Sequence, residues 1–173
     1  MILSSLHLHQ FRSHQDRLMT FDGQVTAIIG PNGSGKTNIL EAIYTLLMGK
    51  SFRDGDDELI SYDQDWYRVE SVIDDVKREL RYQPSNKGKQ LLVDGASKGR
   101  FTYRHQLPVV LFEPDDLLMI HGSPTARRKY LDDLLSRLSL PYRQTLHRYE
   151  RVLTQRNNLL KQKQSRAQLQ DNL

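Results

Sequence analysis

The chain has no cysteine among its 173 residues. Disulfide bonds, thiolate metal sites and cysteine nucleophiles are therefore excluded, and this composition fits a cytoplasmic protein. The sequence also lacks long apolar runs, because hydrophobic residues make up 38% of it and none of its segments approaches the roughly 20 apolar residues of a membrane span. We therefore expect one domain of ordinary size, or one domain with an appendage, that acts without a membrane.

Acidic residues are scarce in the last part of the sequence. Residues 124–173 hold 11 of the 25 lysines and arginines but only four of the 21 aspartates and glutamates. A basic segment of this kind favours a polyanion partner such as nucleic acid. A solvated helical surface, or a surface that meets an acidic segment outside this chain, would carry the same charge, and the sequence leaves these alternatives open.

A glycine-rich segment, Gly30–Thr37, matches the phosphate-binding pattern G-x-x-x-x-G-K-[ST] at every defined position. The β-branched run Val25–Ile29 before it predicts a buried strand, and the apolar spacing of Asn38–Leu47 after it predicts a helix. Glycines allow successive backbone N–H groups to face one anion at a helix N-terminus, where the helix dipole adds to the attraction. A glycine turn without a ligand would have no use for the lysine and threonine that end the pattern.

These residue types predict a site for ATP and Mg²⁺. Lys36 is expected to reach the β- and γ-phosphates, and the Thr37 hydroxyl is expected to coordinate Mg²⁺. Asn38 follows at the start of the helix, where it is expected near the α-phosphate. The nucleotide-binding residues predicted in this segment are Gly30, Pro31, Asn32, Gly33, Ser34, Gly35, Lys36, Thr37 and Asn38.

Apolar alternation predicts a set of strands on both sides of this segment. They are Leu3–Phe11, Arg17–Phe21, Trp66–Asp74, Arg78–Gln83, Gln90–Val93, Gly99–Thr102 and Pro108–Phe112. Beyond residue 123 the pattern changes to helices that begin at Pro124 and Pro141, since proline is favoured in the first helical turn. The sequence therefore predicts an α/β fold.

The order of these motifs resembles the ABC-type ATPases of DNA repair, a group that contains SMC, Rad50, RecN and RecF proteins. The chain begins with a strand that ends in Phe11-Arg-Ser-His14 and soon reaches the phosphate loop, as those ATPases do. Further segments are similar to the RecF family in particular. They are Asn38–Arg53, Val110–Leu117 with the more specific Gly122–Asp132, and Tyr149–Lys161.

The resemblance implies an ABC-type first lobe in residues 1–123, with a mixed β-sheet around the phosphate-loop helix. Residues 124–173 would then be a helical segment that begins an inserted lobe or arm. It also implies that Arg12 contacts phosphate and that Ser13 and His14 lie near the base or sugar. The alternative for Arg12 is a surface arginine in a loop, and the alternative for His14 is a polar histidine without a ligand.

For function, the resemblance implies ATP-dependent DNA binding in recombinational repair and replication. It implies a homodimer with ATP sandwiched between its subunits and slow ATP hydrolysis. It also implies two partners, which are duplex or gapped DNA and a RecR-like mediator. The family's Ser-x-Gly-Gln signature and acidic Walker B strand are not visible in this sequence, so it reads as the N-terminal part of such a protein and is expected to hydrolyse ATP negligibly. A Rad50- or SMC-like head and a metabolite kinase with the same loop are the alternatives.

A basic cluster, Arg127, Arg128 and Lys129, lies within the block most similar to the RecF family. The resemblance implies that this cluster contacts DNA or a partner protein. The alternative is pairing within the chain, with Asp115, Asp116, Asp132 or Asp133.

Two histidines, His7 and His9, alternate on one face of the first predicted strand. The sequence offers no cysteine and no second histidine pair to complete a ligand set with them. It therefore does not predict a metal site at this position.

Overall fold

The computed structural model describes residues 1–86, 88–117 and 123–170. Within these ranges, the side chains of residues 86, 115, 117 and 162–170 are not described. Gly122, the first residue of the most RecF-like block, lies outside the described residues. The chain divides into two compact units, Met1–Leu111 and Phe112–Leu173.

The first unit is built on a six-stranded sheet in the order β2-β1-β3-β4-β5-β6. The strands are β1 (Leu3–Phe11), β2 (His14–Thr20), β3 (Tyr67–Ile73), β4 (Val76–Tyr82), β5 (Gln90–Val93) and β6 (Ala96–Arg100). Six of the predicted strands are thus confirmed, with small shifts of their ends. Each neighbouring pair is antiparallel, so tight turns are sufficient to join β1 to β2, β3 to β4 and β5 to β6.

One face of the sheet packs against helix α1 (Lys36–Met48) to form the core. Alternate residues of the central strands point to this face, as the two-residue period of a strand requires. Every residue of the cluster is at least 98% buried: Leu6, Leu8, Phe11, Tyr67, Val69 and Leu80 from the sheet, Leu59 from a loop, and Ile39, Ala42 and Leu46 from α1. The core therefore holds α1, and with it the end of the glycine-rich segment, against the middle of the sheet.

Two predicted strands, Val25–Ile29 and Pro108–Phe112, are wrong. Val25 and Val110 are 89% and 93% exposed, whereas Ile28, Val109 and Leu111 are half-buried against the core. An apolar run becomes a strand only when a neighbouring strand accepts and donates its hydrogen bonds, and neither segment has such a neighbour among the described residues. The α/β fold class is confirmed, but the described sheet is antiparallel throughout and not mixed, and the predicted strand at residues 25–29 is not part of it.

The second unit contains helices α2 (Pro124–Leu138) and α3 (Leu140–Gln170). The predicted start at Pro124 is confirmed, and the preceding Ser123 accepts a hydrogen bond from the Ala126 N–H as an N-cap. The Tyr142 hydroxyl donates to Asp132 Oδ1 at 2.5 Å, which ties the two helices together. In the described part of the chain, no helix is both long and apolar enough to cross a membrane.

Candidate nucleotide-binding site

The glycine-rich segment is an exposed loop that leads directly into α1. Gly33 and Gly35 have φ values of 81° and 84°, in the left-handed region that residues with a Cβ avoid. Gly35 is the N-cap of α1, and the first helical turn carries no acidic side chain. The first N–H groups of a helix have no partner within it, so this end of α1 offers several donors and a positive dipole end to an anion.

Lys36 folds back over the loop that precedes it. Its Nζ donates to the carbonyl oxygens of Gly30 at 2.8 Å and Pro31 at 2.6 Å. Exchange of these two carbonyl oxygens for phosphate oxygens would strengthen the hydrogen bonds of the ammonium group, because hydrogen bonds between ions are stronger than those to neutral acceptors. Thr37, next to it, is exposed, so its hydroxyl is accessible to a cation.

The turn between β1 and β2 packs against the glycine-rich loop. His14 is buried, and its Nε2 lies 3.2 Å from the Gly35 carbonyl oxygen. The Asn38 amide donates to Ser13 Oγ at 3.0 Å. A Cβ on Gly35 would lie only 2.7 Å from the His14 ring, so glycine is needed there for close approach as well as for its φ. The structure therefore brings Ser13, His14 and Asn38 together at the start of α1, and their contacts with a nucleotide stay predictions.

Arg12 belongs to the same turn, but its guanidinium is held by acceptors of the protein. Its Nε and Nη2 donate to the two Glu41 carboxylate oxygens at 3.0 and 2.9 Å, and Nη1 donates to the Glu58 carbonyl oxygen at 2.8 Å. Nη2 also contacts the Asp54 carboxylate. A contact of Arg12 with phosphate stays a prediction, and it would require exchange of at least one of these bonds.

Glu41 is the centre of a network that the sequence analysis missed. Its side chain is completely buried in α1 and accepts hydrogen bonds from Arg12, from Arg53 at 2.5 Å and from the Ser51 hydroxyl at 2.6 Å. Burial alone would raise the pKa of Glu41, but the bonds from Arg12, Arg53 and Ser51 outweigh it and lower the pKa to about 2. Arg53 also donates to the Asn38 amide oxygen at 3.1 Å, which links the network to the loop. The feature of the sequence that could have revealed this network is a glutamate within the apolar stripe of the predicted helix.

The basic cluster lies on the exposed surface of the first turns of α2. Among the residues with described side chains, Arg128 and Lys129 have no carboxylate partner. Two of the proposed acidic partners have other bonds, since Asp132 accepts from the Tyr142 hydroxyl and Asp116 from the Glu113 N–H. Pairing of Arg128 or Lys129 with a carboxylate is therefore not seen among the described side chains, which do not include that of Asp115, and DNA contact stays a prediction.

Comparisons with known proteins show which families this chain is similar to. The model of the AAA domain family matches residues 5–173. The chain is 40% identical to the DNA replication and repair protein RecF of Limosilactobacillus reuteri, over 97% of the chain and 46% of that relative. It is 38% identical to RecF of Bacillus cytotoxicus, over 96% of the chain and again 46% of the relative. The chain thus spans about half the length of the curated relatives it matches.

Solved structures show the same likeness. A structure of the recombination mediator RecF with ATPγS, from the RecFOR pathway, has a TM-score of 0.79 and 33% identity over 93% of the chain and 45% of that protein. The corresponding RecF–ATP structure has a TM-score of 0.74 and 32% identity over 92% of the chain and 44% of that protein. An SMC ATPase structure reaches 0.62 at 23% identity, over 78% of the chain and 99% of that protein, which shows a shared fold alone.

Proposed function

The chain belongs to the AAA domain family, and from that membership we propose that it forms the ATP-binding lobe of a RecF-like DNA-repair ATPase. The observation that carries the proposal is the loop of residues 30–37 at the N-terminus of α1, with an ammonium group over it and no acidic residue in the first helical turn. Relatives with ATP or ATPγS in their structures support the choice of nucleotide. The more specific resemblance to RecF favours this function over an SMC-like head or a metabolite kinase.

In this proposal the loop N–H groups and Lys36 hold the β- and γ-phosphates, and Thr37 coordinates Mg²⁺. Ser13, His14 and Asn38 support the loop from the β1–β2 turn, while Glu41 holds the Arg12 and Arg53 guanidinium groups beside it. Slow hydrolysis would need acidic and signature residues that this sequence does not contain. Such residues are proposed to belong to the rest of a longer protein.

We also propose that the whole protein dimerises around ATP and binds duplex or gapped DNA in recombinational repair, with a RecR-like mediator as partner. ATP-driven dimerisation is reported for the SMC ATPase of similar fold. The exposed apolar segment at residues 25–29 supports the idea that further strands are needed to complete the lobe. Residues 124–173 would begin the inserted lobe or arm, while residues 1–123 would form the head. A cytoplasmic location is part of the same proposal.

Lys36→Ala is expected to weaken binding of ATP–Mg²⁺ by about 10- to 100-fold. The reason is the loss of charge-assisted hydrogen bonds to phosphate, which contribute about 1.5–3 kcal/mol. Isothermal titration calorimetry on the two proteins measures the difference. Lys50→Ala is the matched control, because Lys50 is an exposed lysine just beyond the end of α1. Equal affinities of the wild type and Lys36→Ala would refute the site.

Replacing Arg127, Arg128 and Lys129 together by alanine is expected to weaken binding of duplex DNA by the full-length protein with ATP. Each lost phosphate contact removes about 0.9 from the slope of log affinity against log salt concentration, so a loss of up to about 3 is expected. Fluorescence anisotropy across a salt series measures the slope. A triple replacement of the exposed Arg17, Lys50 and Lys98 removes the same charge elsewhere and should change the slope less. An unchanged slope in the α2 variant would favour a solvated helical surface.

A further inference from the structure

Three side chains of metal-binding types meet on the face of the sheet that lies away from α1. His7 and His9 are two residues apart on β1, so they share this face, while Leu6 and Leu8 point into the core. Asp16 lies directly opposite His9 on β2. The sequence shows the histidine pair, but only the register of β1 and β2 shows that the Asp16 carboxylate lies beside it.

The distances suit a single metal ion. The His7 Nε2 lies 2.5 Å from Asp16 Oδ1, the His9 Nδ1 lies 3.5 Å from the same oxygen, and all three ligand atoms lie within 4.8 Å of one another. Ligands at about 2.0–2.1 Å from a tetrahedral Zn²⁺ are about 3.3 Å apart. Shifts of about 1 Å, within the freedom of side chains on a sheet surface, would therefore place all three around one ion.

We propose that His7, His9 and Asp16 form a binding site for a divalent transition-metal ion, with Zn²⁺ as the reference ion. Two imidazoles and one carboxylate form a donor set that suits zinc and its neighbours better than Mg²⁺ or Ca²⁺. The Asp16 side chain is 71% exposed, so an ion has an entry path and room for a water molecule in the remaining position. The site lies outside the nucleotide loop and does not depend on the proposed ATP-binding function.

The contact with Arg68 indicates which ring nitrogen of His9 carries the proton. Arg68 Nη2 lies 3.0 Å from His9 Nε2, so Nε2 is the acceptor and Nδ1 carries the proton.

Metal binding at Nδ1 would move that proton to Nε2, and the hydrogen bond from Arg68 Nη2 to Nε2 would break. The Glu70 carboxylate lies 3.6 Å from Nε2 and would accept a hydrogen bond from the Nε2–H, while Arg68 keeps its ion pair with Glu70 at 3.0 Å. A carboxylate behind a metal-bound histidine is a common supporting arrangement. Glu70 is therefore expected to strengthen binding without touching the ion.

An ion at this site would fasten β1 to β2. The turn that joins these strands carries Ser13 and His14 against Gly35, so the ion would stabilise the hairpin that supports the glycine-rich loop. Stabilisation follows because any ligand that binds only the folded protein shifts the folding equilibrium towards it.

The test is a titration of the nucleotide-free protein with Zn²⁺ at neutral pH by isothermal calorimetry. The wild type is expected to bind one equivalent, and His9→Ala and Asp16→Asn are each expected to bind at least about tenfold more weakly. Glu70→Gln should weaken binding about 10- to 100-fold. The control is His147→Ala, because His147 is an exposed histidine of α3 and its loss should leave the affinity unchanged.

Thermal unfolding provides a second readout that does not rely on heats of binding. Zn²⁺ should raise the Tm of the wild type and of His147→Ala, and should raise that of His9→Ala clearly less. Circular dichroism without metal establishes that each variant is folded. Absence of Zn²⁺ binding by the folded wild type at millimolar metal would overturn the proposal. Equal affinities of the wild type, His9→Ala and Asp16→Asn would overturn it as well.

Discussion

Replacing Glu41 by alanine is expected to lower the free energy of unfolding by about 3–5 kcal/mol. The Glu41 carboxylate is completely buried and neutralises the guanidinium groups of Arg12 and Arg53. Its removal leaves both cations without their shared partner and removes a completely buried side chain from α1. Urea unfolding followed by circular dichroism measures the difference.

The matched control for this substitution is Asp65→Ala. Asp65 is an exposed carboxylate of a turn in the same unit, so its loss is expected to change stability by less than about 0.5 kcal/mol. Glu41→Gln separates charge from shape, since glutamine fills the same volume but carries no charge. A loss below about 1 kcal/mol in Glu41→Ala would show that the buried network contributes little to the fold.

The Glu41 carboxylate makes the free energy of unfolding depend on pH in the acidic range. The pKa of Glu41 is lowered to about 2 in the folded protein, against an ordinary value of 4.5. The unfolded chain therefore binds the proton first as pH falls, and about 3 kcal/mol of stability is expected to disappear between about pH 5 and pH 2. Unfolding curves of the wild type and Glu41→Gln across this range test the effect. Parallel acid profiles for the two proteins would contradict it.

Gly49→Ala is expected to destabilise the protein by about 2–5 kcal/mol. Gly49 ends α1 with φ of 73°, a conformation that costs a residue with a Cβ about 1–2 kcal/mol. A Cβ there would also lie 2.3 Å from a ring carbon of Phe101, and crowding of this kind adds about 1–3 kcal/mol. Chemical denaturation measures the loss.

Gly55→Ala provides the comparison for that substitution. Gly55 has no atom within 4 Å of its Cβ position and does not have a positive φ, so little change is expected. Similar stabilities of Gly49→Ala and Gly55→Ala would mean that the end of α1 tolerates a different backbone conformation.

The parts of the fold that the sequence predicted are those set by local patterns. The alternation of β1 and β3 and the helical spacing of α1 both depend on residues close in sequence. The phosphate loop was recognised for the same reason, since its residues are consecutive.

The parts that the sequence did not predict depend on distant partners. Residues 25–29 are apolar enough for a strand, but pairing requires a neighbour that the described residues do not provide. Glu41 meets Arg12 from the first hairpin, 29 residues earlier, and a pattern of hydrophobicity does not show that contact. Asp16 reaches His9 only through the register of β1 and β2.

The central claim is that the loop of residues 30–37 at the start of α1 binds ATP, and amide NMR during a titration with ATP–Mg²⁺ tests it most directly. If the claim holds, the largest shifts of backbone amide signals will belong to Gly33, Gly35, Lys36 and Thr37, because their N–H groups would donate to phosphate oxygens. The Lys36→Ala protein should show much smaller shifts at the same ATP concentration. Saturating shifts that cluster elsewhere on the sheet, with the signals of this loop unmoved, would contradict the claim.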